Sequence, residues 1–149
     1  MSINVTLYKS KHAKCAHPVF VINDAPLDIW LSEQTNEDYI LDLVPAQGWL
    51  YKDEEFELSW RRLKNLEPET CTFVPILVCP DDMDFSCTVI IVEQCVTEET
   101  VVWKRFGLDS SYKDEIGSTV KWFNTQASIE FSISEFKSAL DKFKALFDE

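Results

Sequence analysis

The segment that decides the fold is CTFVPILVCPDDMDFSCTVIIVEQCVTEETVVWKRF, residues 71–106. It contains three runs rich in Val, Ile, Thr and aromatic residues, at 72–79, 87–96 and 101–106. This composition is typical of β-strands, and the polar stretches between the runs are short enough for hairpin turns. The segment therefore predicts three consecutive antiparallel strands.

The middle run, residues 87–96, is apolar on both of its faces. Val89 and Ile91 project to one side of an extended chain, and Ile90 and Val92 project to the other. A strand with two apolar faces is usually central in its sheet and covered on both sides. We expect this run to be the central strand.

Two helical patterns flank the β-rich segment. The spacing of apolar residues predicts a helix at about 53–66, before Pro68, and a C-terminal amphipathic helix at about 134–147. Ser132 and Glu135 have the spacing of a capping box at the start of the second helix. The apolar stripes consist of Phe56, Trp60, Leu63 and Leu66 in the first helix and of Phe136, Ala139, Leu140, Phe143 and Leu146 in the second.

The rest of the chain predicts further short strands. Asp24-Ala25-Pro26 has the composition of a turn between two strands of a hairpin. Together these elements predict one α+β domain over residues 1–149, built mostly of antiparallel hairpins with one inserted helix and one C-terminal helix. The additional predicted strands are residues 3–7, the hairpin pair 19–23 and 27–31, residues 39–44, and a last pair at 117–123 and 129–133.

The charge of the chain is strongly acidic and unevenly distributed. The whole chain carries −12, and residues 24–99 alone carry 18 Asp and Glu against four Lys and Arg, or −14. Such a surface repels phosphate backbones, so direct binding of nucleic acid is not expected. It would instead attract a basic protein.

The compartment is predicted from the absence of targeting patterns and from the cysteines. Residues 1–10 alternate polar and apolar side chains, and no window has the ~18 apolar residues that span a bilayer. We therefore expect a cytoplasmic protein without a membrane partner. Five cysteines, an odd number, favour reduced thiols in that compartment.

Four of the cysteines, Cys71, Cys79, Cys87 and Cys95, stand eight residues apart. A hairpin that turns near residue 83 would place Cys79 opposite Cys87 and Cys71 opposite Cys95. Opposed Cβ atoms at ~4.5 to 5.5 Å are slightly too distant for a relaxed disulfide. Buried, reduced cysteines are therefore expected, with a redox switch as the alternative. Structural zinc sites take cysteine pairs two to four residues apart, a spacing that this chain lacks.

Patterns for other chemistry are weak. Asp82 opens a calcium-like loop, but the sixth position of that loop is Cys87, where the sharp turn requires glycine. His12 and His17 are the two histidines, and neither neighbours a nucleophile motif. No glycine-rich phosphate loop is present. We expect no catalytic residue, no cofactor and no metal, and a binding protein rather than an enzyme.

The candidate partner-binding residues form two acidic groups and one aromatic anchor. One group should gather at the end of the sheet where the strand at 72–79 finishes, and the other begins the first helix. Loop tryptophans are good anchors for a partner. The candidates are Asp81, Asp82, Asp84 and Asp109 at the end of the sheet, Asp53, Glu54, Glu55 and Glu57 in the helix, and Trp49 in the preceding loop.

The order of features resembles a family of proteins. VFVIND at 19–24 precedes LDIWL at 27–31, and later come Ser59-Trp60, a long hairpin and a C-terminal helix. This order resembles the cytoplasmic immunity proteins of contact-dependent growth inhibition and related bacterial toxin systems. Some of these have a fold like that of the Whirly single-stranded-DNA-binding proteins.

The resemblance implies a function. Immunity proteins of this kind neutralise a toxin domain, often a nuclease, by covering its active site. A nuclease attracts phosphate with a basic groove, which an acidic inhibitor complements. The resemblance thus implies a basic toxin domain as partner. The sequence does not determine the oligomeric state, and a monomer is favoured. The alternatives are an acidic chaperone or adaptor for a secreted effector, which would hold an unfolded segment on apolar grooves, and a small enzyme.

Overall fold

The computed structural model describes residues 2–11, 13–112, 114–125 and 128–148. Its strands are β1 (Ile3–Tyr8), β2 (His17–Ile22), β3 (Ala25–Pro26), β4 (Val44–Pro45), β5 (Thr70–Val78), β6 (Val89–Val96), β7 (Thr100–Asp109), β8 (Val120–Trp122) and β9 (Ile129–Ser132). Its α-helices are α1 (Leu27–Thr35), α2 (Ala46–Trp49), α3 (Asp53–Leu63) and α4 (Ile133–Phe147), with a 3₁₀-helix at Asp38–Asp42.

The strands form two antiparallel sheets. The small sheet has the order β1-β2-β3, and the large sheet has the order β4-β5-β6-β7-β8, with β9 also paired to β7. Helix α4 packs on β1 and β2 of the small sheet and on β7 and β9 of the large one. The α+β prediction is confirmed, as are the three strands of the decisive segment.

Strand β6 is central, as its sequence predicts. It lies between β5 and β7, and its four residues 89–92 are all buried. Ile90 and Val92 belong to the main core, which also contains Trp103 and Phe143. Val89 and Ile91 belong to a second core on the other side, with Val44 and Leu50 among its members. The apolar character of both faces of β6 thus follows from its burial between two cores.

The two predicted helices are also confirmed. Helix α3 begins at Asp53 and ends at Leu63, so that Leu66 packs on the main core from beyond the helix. At the start of α4, the Ser132 hydroxyl accepts a hydrogen bond from the Glu135 N–H at 3.2 Å. The Glu135 carboxylate accepts instead from the Ile3 N–H at 3.4 Å. Ser132 therefore caps α4 as predicted, whereas the Glu135 side chain connects α4 to β1.

The predicted strand at 27–31 is wrong, because these residues form the first part of α1. Asn23 and Asp24 both have positive φ, at 48° and 71°, and reverse the chain directly after β2. After this reversal the chain pairs with β2 only through the two residues of β3. Leu27 and Leu31 are then buried on one face of the helix. Residues four positions apart lie on the same face of a helix and also on the same face of a strand, so the spacing of Leu27 and Leu31 does not distinguish the two.

Two other strand predictions need correction. Of the predicted strand at 39–44, residues 39–42 lie in the 3₁₀-helix, and only Val44 lies in a strand, β4, which pairs with the end of β5 through two residues. Strands β8 and β9 both exist, but they do not pair with each other. Both lie along the same edge of β7, with β9 on Thr100–Trp103 and β8 on Gly107–Asp109. The length of β7 allows two short strands to share its edge.

The cysteine register is confirmed for one pair, but the predicted redox state of that pair is wrong. Cys71 lies opposite Cys95, and the two form a disulfide. Their Cα atoms are 4.0 Å apart, nearer than the ~4.5 Å of an ordinary narrow antiparallel pair. Cys15, Cys79 and Cys87 are free thiols, and Cys15 and Cys87 are exposed rather than buried.

Over the residues that the structure describes, no helix has the length and apolar character needed to cross a membrane.

Candidate functional site

The loop between β5 and β6, residues 79–88, is held against the start of α3. The Tyr51 N–H donates to the Met83 carbonyl at 3.2 Å. The Phe85 N–H donates to Glu55 Oε1 at 3.2 Å, and Lys52 Nζ lies 3.4 Å from Asp84 Oδ2. These contacts bring the predicted acids of the loop, Asp81, Asp82 and Asp84, next to the predicted acids of the helix; they do not involve Asp109.

The exposed acids of these two joined segments define what we call the acidic surface. Five carboxylates are exposed to solvent, three from the first turns of α3 and two from the loop. The neighbouring cation Lys52 is already paired with Asp84. Dense exposed carboxylates produce a negative field that attracts cationic partners. The acidic surface consists of Asp53, Glu54, Glu57, Asp81 and Asp82.

Asp84 and Glu55 were predicted as partner contacts, but the structure uses their carboxylates internally. Asp84 is buried and accepts from both the hydroxyl and the N–H of Ser86. These hydrogen bonds and Lys52 hold the pKa of Asp84 below its usual value. Burial raises the pKa of Glu55, although the Phe85 N–H acts in the opposite direction. Both carboxylates therefore accept hydrogen bonds from the loop, and their predicted contact with a partner stays a prediction.

Asp109 is half-buried, and its carboxylate likewise accepts hydrogen bonds within the protein. Its Oδ1 accepts from the Ser111 hydroxyl at 2.7 Å and from the Gly117 N–H at 2.9 Å. Gly117 has a φ of 86°, which allows its amide to point at the carboxylate. Asp109 therefore organises the connection between β7 and β8.

Trp49 lies in α2 rather than in a loop and is only partly exposed. Its ring meets the His17 ring edge-on at 5.2 Å and packs on the second core. A half-buried indole with these neighbours contributes packing, so its predicted role as a partner anchor gains no support from its surroundings.

A groove that the sequence reasoning missed borders the acidic surface at Glu57. It has a volume of about 560 Å³ and lies between α3 and the end of α4. Phe56 and Phe147 stack there with ring centroids 5.8 Å apart, and 40% of Phe147 is exposed. The groove is lined by Phe56, Glu57, Trp60, Arg61, Lys64, Lys144, Phe147 and Asp148. The apolar stripes of the two helices were predicted, but their meeting at this point depends on tertiary packing.

The one described histidine, His17, forms a buried pair with a serine. His17 Nε2 lies 3.1 Å from Ser10 Oγ, and His17 Nδ1 lies 3.2 Å from the Cys15 carbonyl. Burial lowers the pKa of His17, which favours the neutral ring. The space beside Ser10 is too small to admit a water molecule. The other candidate, His12, lies outside the described residues.

Two clusters in the described chain bring together three side chains of the kind that bind metals. In the first cluster, Cys71 and Cys95 are joined as a disulfide beside Glu93. In the second, Cys79 and Cys87 are free thiols beside Asp82. The Thr88 N–H lowers the pKa of the Cys87 thiol, but partial burial and hydrogen bonds with Asp82 and Cys79 outweigh it and raise that pKa above its usual value.

No family model, no curated protein and no solved structure matches this chain. The likeness to immunity proteins and to the Whirly fold therefore stays a prediction. The case for a function rests on the residues themselves and on their arrangement.

Proposed function

We propose that this protein is a cytoplasmic immunity protein that binds a basic toxin domain, a nuclease by preference, and neutralises it without catalysing a reaction. The acidic surface is the observation that supports the proposal. The loop at residues 79–88 and the start of α3 are distant in sequence, yet they are fixed side by side. Their exposed carboxylates face solvent, while the intervening Lys52, Glu55 and Asp84 are engaged with the loop.

Electrostatic complementarity supports this partner. A nuclease needs a basic groove to hold phosphate, and a dense set of carboxylates resembles that substrate in charge. Complementary fields raise association rates above the neutral range of about 10⁵–10⁶ M⁻¹s⁻¹, and salt suppresses the effect. Because the loop is already fixed to α3, little ordering would oppose binding.

The groove between α3 and α4 favours a second candidate, a chaperone or adaptor for an effector protein. Three aromatic side chains line it beside five charged ones, and with its volume of about 560 Å³ this lining suits an apolar segment of an unfolded chain that is flanked by charged residues. In the immunity interpretation, the same groove would receive one apolar side chain of a folded toxin beside the acidic contacts. The two functions differ in the partner, which is folded and basic in one case and unfolded in the other.

The partner can be identified by capture from native cells. The tagged chain would be recovered together with the product of the neighbouring upstream gene and examined by mass spectrometry. The proposal predicts one basic, nuclease-like domain in a complex that weakens as salt is raised. Recovery of an unfolded effector, or of many unrelated chains, would favour the chaperone function.

Charge reversal then locates the site on the captured partner. The double variant Glu54→Lys with Asp81→Lys changes exposed acids on both segments of the acidic surface. We expect it to lower the association rate constant at low salt by about tenfold or more, since steering contributes about 10 to 10³. The matched control is Glu98→Lys with Glu99→Lys, an equal charge change on exposed residues of the β6–β7 turn. Equal effects of the two double variants would show that net charge acts without this surface.

A further inference from the structure

We propose that Cys79, Asp82 and Cys87 form a binding site for a thiophilic divalent cation, Zn²⁺ being the best fit. One oxygen of Asp82 and the two sulfur atoms all lie within 4.8 Å of one another. The site lies at the end of the β5–β6 hairpin, beside the acidic surface, and it stands independently of the proposed function.

The hairpin itself brings the three side chains together. Val78 and Val89 are paired at the last rung of the ladder, so that Cys79 and Cys87 leave adjacent strand ends. The Met83 N–H donates to the Cys79 carbonyl at 3.0 Å and closes a turn that returns Asp82 towards Cys79. The structure therefore collects ligands that are separated by eight residues in sequence.

The donor set selects the class of metal. Thiolates bind Zn²⁺ and other soft or borderline ions, whereas Mg²⁺ and Ca²⁺ take oxygen ligands. In a tetrahedral zinc site, Zn–S bonds of ~2.3 Å and Zn–O bonds of ~2.0–2.2 Å place the ligand atoms roughly 3.3 to 3.8 Å apart. The present separations, none of which exceeds 4.8 Å, need to contract by at most about 1.5 Å to meet that geometry.

The surroundings favour a cation and leave the site open. Residues 79–88 contain Asp81, Asp82 and Asp84 and no Lys or Arg, and Lys52 pairs with Asp84, so the net charge of these residues is negative. Cys87 and Asp82 are exposed, and Cys79 is half-buried. Three protein ligands leave a fourth tetrahedral position for water or for a residue of a partner.

The contacts of the loop with α3 and with the two residues before α3 pre-order this site. They fix Met83 through Tyr51, Phe85 through Glu55 and Asp84 through Lys52. All three anchored residues lie between Asp82 and Cys87 in the chain. Because the ligands need little ordering, more of the coordination energy is available for binding. Sequence spacing rules overlook such a site, since they consider ligands that a single turn presents.

The test is titration of the full, reduced chain with Zn²⁺ in a calorimeter and with Co²⁺ in a spectrophotometer. We expect one saturable ion per chain, thiolate-to-cobalt absorption, and protection of two thiols from alkylation when Zn²⁺ is present. The exposed side chain of Cys87 makes Cys87→Ser a mild substitution. It should weaken Zn²⁺ binding by more than the roughly 10–100-fold that loss of an outer-shell partner costs.

Three further variants locate the site. Asp82→Asn should weaken Zn²⁺ binding while thiolate-to-cobalt absorption persists. Cys15→Ser removes an exposed thiol elsewhere and should change nothing. Cys71→Ser with Cys95→Ser should retain binding, which excludes the other cysteine cluster as the source.

Several outcomes would overturn the proposal. One is the lack of saturable binding by a chain whose thiols are shown to be free. Another is equal binding by all variants, the behaviour of scattered carboxylates. A third is a Cys79–Cys87 disulfide that persists under reducing conditions. None of these outcomes depends on the toxin partner.

Discussion

Replacement of Gln94 by methionine tests how the large sheet is fastened to α3. Gln94 has no exposed surface. Its Nε2 donates to the Leu63 carbonyl at 2.9 Å, and its Oε1 accepts from Trp103 Nε1–H at 3.0 Å. Leu63 is the last residue of α3, where carbonyls have no donor within the helix. One amide thus satisfies two buried groups on different elements.

Gln94→Met keeps the length of the side chain and removes both hydrogen bonds. Leaving a buried polar group without a partner costs about 1–3 kcal/mol, so two such groups cost about 2–6 kcal/mol. Trp103 packs edge-on against Phe20, Phe106, Phe131 and Phe136, so its N–H would face an apolar cluster. Because whole domains have unfolding free energies of about 5–15 kcal/mol, the loss would be large.

Urea unfolding followed by tryptophan fluorescence measures this loss. With a slope near 2 kcal/mol/M, the midpoint should fall by roughly 1 to 3 M and the slope should stay constant. A loss below about 1 kcal/mol would refute the reasoning, since it lies under the cost of a single buried unpaired group.

Gln47→Met is the matched control. Gln47 is equally buried and donates from Nε2 to the Pro75 carbonyl at 2.8 Å. Its Oε1, however, has no hydrogen-bond partner among the described residues. Methionine therefore loses one hydrogen bond but also removes an unsatisfied oxygen, and the two effects, each about 1–3 kcal/mol, nearly cancel. A loss as large as that of Gln94→Met would contradict this account of both amides.

Two further substitutions test burial and close packing. Burial raises the pKa of Asp28 from its ordinary value of 3.8 to about 6. Above pH 6 the folded protein therefore holds an ionised, buried carboxylate, which lowers the free energy of unfolding. Below pH 3.8 the carboxyl group is protonated in both the folded and the unfolded chain, and this loss of stability disappears. Asp28→Asn should raise the free energy of unfolding by up to about 3 kcal/mol at pH 7.5 and by little at pH 4; a gain independent of pH, measured by urea titration, would contradict this. Gly107→Ala would place a Cβ 2.6 Å from the Lys121 carbonyl oxygen and should destabilise by about 1–3 kcal/mol, with faster amide exchange in β8. Gly48→Ala, whose Cβ would meet nothing nearer than 3.6 Å, is the control, and equal losses would refute the steric argument.

The decisive segment and the two longer helices could be predicted because burial imposes periodic patterns on them. Val89 and Ile91 face one core while Ile90 and Val92 face the other, as their alternation indicates. The pattern fails at Leu27, where a spacing of four fits both a strand face and a helix face. Asn23 and Asp24 have positive φ angles and reverse the chain after β2, and residues 27–31 then form a helix. The sequence pattern does not show this reversal.

The candidate site could be predicted only in part, because it depends on contacts between distant segments. Charge counting identified both acidic segments, and the structure adds that Glu55 and Lys52 fasten one to the other. Composition alone gives no indication that Asp84 and Asp109 serve internal hydrogen bonds. The sequence correctly predicted that Cys71 lies opposite Cys95, but it did not predict the disulfide between them.

The most direct test of the central claim is growth of cells that produce the captured toxin domain together with this protein. The account predicts that the unaltered chain restores growth and that the Glu98→Lys, Glu99→Lys control does the same. It predicts that Glu54→Lys with Asp81→Lys, produced at an equal level and folded, protects poorly. Full protection by that variant, or no protection by the unaltered chain, would contradict the claim that the acidic surface neutralises a toxin.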